Sequence, residues 1–177
     1  MKKLCYFLSV AMLAFTVSSC IDNRHAKNYN DKTLTDDGGL AFIKGGIEGG
    51  RTEIKASELA KKNSTNPRVV NFAFMMINDH TAVINQLKDI QSAKLVDINP
   101  GITSDHQTKI DSLAKKSGAD FDKAYMQMMV ADHEKAEKLF SDATNNTSNM
   151  IQDLSRKVLP KIQIHLDSAK AILAGLK

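Results

Sequence analysis

From residue 38 onward the apolar positions recur at alternating steps of three and four, the spacing of one face of an α-helix. No stretch alternates with period two long enough to read as a strand. The pattern predicts an all-α protein. Helix one covers about 38–62. Helix two ends near residue 93, with Asn66 as its N-cap and Pro67 at its first position. A short helix spans about 104–117, with Ser104 as candidate cap. A fourth runs over about 120–143 and a last over about 148–175. The turns between them are short, so sequential long helices should pack antiparallel.

The helix-two stripe contains Val69, Ala73, Met76, His80, Val83, Leu87 and Ile90. Fifty-three residues on, the helix-four stripe contains Asp122, Met126, Met129, His133, Ala136, Phe140 and Ala143. The shift maps "MMINDH" (75–80) onto "MMVADH" (128–133), so the repeat is one of helix faces. The last helix aligns Ile151, Leu154, Val158, Ile162, His165, Ala169 and Ile172, with Pro160 expected to bend it. In helix one, Glu53 shares a face with Phe42, Gly46, Gly49, Ala56 and Ala60. Each long helix thus offers one ionisable residue near its middle on an apolar or small face.

A charged or polar side chain inside a bundle is costly unless paired or ligated. Imidazole and carboxylate are ligands for zinc, iron and copper. Glu53, His80, His133 and His165 are therefore candidate ligands of one transition-metal ion. The competing reading is a buried Glu/His polar network in a structural or interaction module, with no metal. There Asp79 and Asp132 would be surface charges or local caps. Met76 and Met129 precede the histidines by one turn and are read as core filler rather than as copper ligands. No Ser-His-Asp arrangement, glycine-rich phosphate loop or second carboxylate cluster is evident, which disfavours an enzyme. The first half of helix one, "GGLAFIKGGIEGG", carries six glycines. Each costs about 1 kcal/mol relative to alanine, so this helix is expected to be the most labile.

The N-terminus changes the setting. "MKK" followed by an apolar run and "VSSC" reads as a lipoprotein signal peptide over 1–19, with Cys20 as the lipidated new N-terminus. Residues 20–37 form the lipidated terminus and a polar tether, and 38–177 the domain. The lipid would place the protein in the cell envelope, at the outer membrane, with the bundle facing the periplasm or the surface. Cys5 falls in the leader, so the mature chain has one cysteine and no internal disulfide. Removing residues 1–19 leaves 22 basic and 20 acidic residues, too balanced for nucleic-acid binding. Membrane contact through the lipid anchor is the expected association, and the pattern leaves any protein partner unidentified.

These features together resemble the DUF4142 family, bacterial envelope proteins with a ferritin-like helical bundle. The resemblance rests on "EIKASELAKKNSTNPRVVNFAFMMINDH", "GADFDKAYMQMMVADHEKAEKLF" and "VLPKIQIHLDSA". The family pattern falls on Glu53, on Asp79 and His80, on Phe121, Asp122, Tyr125 and His133, and on Leu159, Pro160, His165 and Leu166. It implies a ferritin-like antiparallel four-helix bundle with a short extra helix between helices two and three of the bundle. It assigns no biochemistry. The sequence departs from the usual alanine-rich helix one. It also lacks the paired Glu-x-x-His motifs of di-iron ferritins, so ferroxidase chemistry is not expected.

Overall fold

The computed structural model describes residues 33–176. The leader, Cys20 and most of the tether lie outside the described residues. The fold is all-helical, with α1 (Asp37–Asn63), α2 (Pro67–Ala93), α3 (Ser104–Ala114), α4 (Gly118–Ala143) and α5 (Asn149–Ala174). Among the described residues there is no strand, and no helix is long and apolar enough to cross a membrane.

The helix boundaries follow local chemistry. The Asn66 side chain accepts from the Arg68 N–H, and Pro67 opens α2. Thr103, rather than Ser104, caps α3 by accepting from the His106 N–H. A hydroxyl one residue earlier reaches the unpaired first-turn donors, whereas Ser104 already has helical geometry. Gly118 begins α4 at φ +57°, a left-handed value that glycine adopts without steric cost. The α5 helix continues through Pro160. Residues 33–36, just before α1, are docked on the bundle. The Leu34 N–H bonds the Lys94 carbonyl at 2.8 Å, and Asp36 caps α1 while accepting from Asn146 and Thr147.

Contacts run between α1 and α2, α2 and α5, α5 and α4, and α4 and α1. The α3 segment leans on α1 and α4. It carries the chain from the end of α2 to the start of α4. The predicted stripes face inward: Val83 and Ala136 are half-buried, and every other member of the α2, α4 and α5 stripes is buried.

Two apolar clusters fill the interior. One gathers Ala56, Ala60, Val69, Met76, Phe121, Met129 and Ala169 among others, and the second gathers Phe42, Ile47, Leu87, Phe140, Leu154 and Ile162. Along every long helix, Glu53, His80, His133 or His165 falls between the two sets. A polar layer thus divides the core. Met76 and Met129 belong to the first cluster, as core filler should.

Candidate metal centre

The four layer residues come from four different helices, and all are buried. The histidine rings converge. Their centroids lie 5.5 Å apart for His80 and His133, 5.7 Å for His80 and His165, and 5.4 Å for His133 and His165. Each offers one nitrogen to a group in which all three atoms lie within 4.8 Å of one another. Glu53 stands beside this group. Its Oε2 is 3.1 Å from His80 Nε2 and its Oε1 is 3.1 Å from His133 Nδ1, but neither contact is aligned as a hydrogen bond.

Second partners fix two tautomers. His133 Nδ1 lies 2.9 Å from the Met129 carbonyl, which can only accept, so Nδ1 carries the proton and Nε2 keeps its lone pair. His165 Nε2 lies 2.9 Å from Asp79 Oδ2, which leaves the lone pair on Nδ1. Carbonyl and carboxylate partners of this kind orient histidines that bind metals. Asp79 is held in turn by Lys161 at 3.2 Å. It is therefore neither a free surface charge nor a cap. His133 Nε2, His165 Nδ1, His80 Nε2 and Glu53 Oε1 are all buried without a hydrogen-bond partner.

Burial disfavours the charged form of every member of the layer. It lowers the His80 pKa to about 3, helped by the neighbouring His133 and His165. It lowers His133 to about 4, again helped by His165, against the pull of Met129 and Asp132. His165 is lowered by burial and partly restored by Asp79. Glu53 is raised well above the usual carboxylate value by burial, then by the charges of Asp132 and Glu48. Neutral imidazoles are the form that ligates.

A second cluster lies one to two turns away on α1. His106 Nδ1 bonds Glu48 Oε1 at 2.8 Å. Glu48 also accepts from the Thr103 N–H at 2.9 Å and from the Thr52 hydroxyl at 3.2 Å. Asp132, buried, is held by Lys109 at 3.3 Å and Lys135 at 3.2 Å, and so is not a surface charge. The sequence reading passed over Glu48 and His106. The signal present was a third Asp-His pair, Asp105–His106, beside those at 79–80 and 132–133.

The domain of unknown function DUF4142 matches residues 25–172. The chain belongs to the DUF4142 family. No curated protein matches this DUF4142 chain by sequence. Its fold is similar to a DUF305 fragment from Deinococcus radiodurans (TM-score 0.72, 10% identity, covering 80% of this chain and 99% of the other). It is also similar to a DUF305 protein from Streptomyces coelicolor (TM-score 0.67, 11% identity, 78% and 93%). A third similar structure is CopM in its Cu(II)-bound form (TM-score 0.66, 18% identity, 78% and 97%). These likenesses establish a DUF305-like helical fold for this DUF4142 protein.

Proposed function

We propose that this protein binds one transition-metal ion through His80, His133 and His165 in the cell envelope. The observation that carries this reading is the convergence of buried nitrogens that have no hydrogen-bond partner. A closed polar network would satisfy these atoms among themselves, since each orphan costs about 1–3 kcal/mol. Three imidazoles suit Cu(II), Zn(II) and Fe(II), and intrinsic affinity is greatest for Cu(II). The likeness to a Cu(II)-bound protein supports copper as the ion, with zinc as its competitor. Tetrahedral bonds of about 2.0–2.1 Å put ligand nitrogens roughly 3.4 Å apart, so loading would draw the rings in by about 1 Å. Glu53, among the ligands expected from sequence, takes the role of a flanking carboxylate. A cation would stabilise its ionised form and reverse the effect of burial.

The same reading places the helices in a ferritin-like antiparallel four-helix arrangement with α3 as an added crossover. Cys20 would carry the lipid that ties the bundle to the outer membrane, with its bulk in the periplasm or at the surface. Replacing Cys20 with serine should release the protein from the membrane fraction. A cleaved, unacylated variant that stays membrane-bound would end the anchor reading.

The test of the metal reading is competitive titration of the purified, metal-stripped protein with Cu(II) and Zn(II). Saturation at one equivalent, with a melting temperature that rises with free ion, supports it. If no ion changes the melting curve while His80→Ala and His133→Ala destabilise the fold, the layer is a structural polar network.

A further inference from the structure

A cavity of about 280 Å³ opens between the long helices on one side of the polar layer. His80, His165 and Glu53 form part of its wall. Val83, Leu139, Phe140, Val158 and Ile162 give it an apolar body.

The glycines of α1 explain why there is room. Cβ atoms on Gly46 and Gly50 would meet Leu87 at 2.8 Å and Ile84 at 3.1 Å, so these two allow α2 to approach closely. Gly49 lines the cavity, and a Cβ there would meet nothing within 4 Å. Apart from Glu53, the charged groups around the cavity are already paired: Lys161 with Asp79, Lys135 with Asp132, and His106 with Glu48. An apolar cavity of about 150 Å³ is enough to take benzene. This one is nearly twice as large, and the side chains of His80 and His165, whose Nε2 and Nδ1 are buried without a hydrogen-bond partner, form part of its wall.

We propose that the cavity admits a small uncharged ligand with an apolar body and one donor atom, which completes the coordination of the ion. This rests on the metal reading above. Sites with three protein ligands keep one position open for water or an exogenous molecule. Here the cavity borders two of the three histidines, so the incoming donor would replace a bound water. Its lone pair forms the new bond, and no redox change is involved. The paired rim charges select against a second charged group, and the apolar wall favours a ring or a short chain.

The test uses the purified protein loaded with one equivalent of Cu(II), titrated with imidazole and with 4-phenylimidazole and followed by its visible and EPR spectra. Both azoles should shift the copper spectrum, and 4-phenylimidazole should bind at least about tenfold more tightly, because its phenyl group leaves water. Gly49→Leu places a side chain in the cavity, and Ala136→Leu does so from α4. Each should leave copper uptake at one equivalent and reduce the tenfold preference to about parity. Copper uptake without a spectral response, equal affinity for both azoles, or a preference that survives in both variants overturns the proposal. Failure of the wild type to take up copper overturns the metal reading, and this proposal with it.

Discussion

His106 and His133 both face a glutamate of α1, yet their nitrogens meet different surroundings. Glu48 bonds His106 at 2.8 Å while accepting from Thr103 and Thr52. Burial would raise the Glu48 carboxyl, but these donors hold it below its usual value. The cluster is partly open to solvent and joins α3 to α1. Glu53 touches two histidines without an aligned bond, and its carboxyl is pushed up. One cluster uses a histidine as a clip. The other accumulates more lone pairs than the protein satisfies. Histidine near carboxylate is thus an insufficient sign of a metal site. The sign is a set of oriented nitrogens left over after every protein partner is counted.

The largest effect should separate the two clusters. His133→Ala removes a ligand and should weaken copper binding by more than about 100-fold, beyond the usual cost of an outer partner. His106→Ala should leave copper affinity within about threefold, while costing about 1–3 kcal/mol because Glu48 loses its partner. Competition titration and chemical denaturation of both variants measure this. Comparable losses of copper affinity would erase the distinction.

Asp79→Asn tests the support of a single ring. Asparagine can present a donor to His165 Nε2 and release its preferred tautomer. Copper affinity should fall by roughly 10–100-fold, with His165 still in place. An unchanged affinity would remove Asp79 from the account.

The pH dependence of the metal-free fold gives a smaller, signed effect. Unfolded histidine takes its proton near 6.5, whereas His80 and His133 in the fold do so at about 3 and about 4. Below pH 6.5 the unfolded chain therefore binds more protons at these sites, and stability falls as pH drops toward 4. Glu53 acts in the opposite sense. Its folded value lies well above 4.5, so the fold keeps a proton that the unfolded chain has lost. Its contribution is full at low pH and declines as pH rises through the folded value. Three lowered histidines outweigh it on the acid side. Denaturation between pH 4 and 6.5 should show stability rising with pH, and Glu53→Gln should steepen that rise because the opposing contribution is gone. An unchanged slope would show that the Glu53 carboxyl is not raised in the fold. Lowered Glu48 contributes stability that is lost only as pH falls through its carboxylate range.

The smallest effect concerns the glycines. Gly49→Ala meets open space and should stabilise α1 by about 0.5–1 kcal/mol, through helix propensity. Gly46→Ala meets Leu87 at 2.8 Å and should gain nothing or lose stability. Equal gains at both positions would mean that neither glycine serves packing.

Much of this was legible from the chain. The stripes of α2, α4 and α5 identified buried faces because a helix repeats every 3.6 residues. They also placed each histidine at mid-helix. What a stripe cannot carry is the register between helices. Glu53 is expected as an equal ligand; its carboxylate oxygens lie 3.1 Å from His80 and from His133, while the group of atoms within 4.8 Å of one another consists of the three histidine nitrogens. Asp79 reads as a surface charge because the ring it orients is 86 residues away. The "GGIEGG" segment reads as weak helix, since its glycines show their use only when the facing residues, Ile84 and Leu87, are known. His106 lies on a short helix without a clear stripe, so its neighbour Glu48 had no pattern to reveal it.

The most direct test is X-ray absorption on the protein loaded with one equivalent of zinc or copper. An ion held by His80, His133 and His165 should show three imidazole nitrogens, at about 2.0–2.1 Å for zinc, and one further light donor. His133→Ala should lower the imidazole count or abolish loading. A wild-type spectrum with one imidazole or none, or an identical spectrum from His133→Ala, would contradict the account.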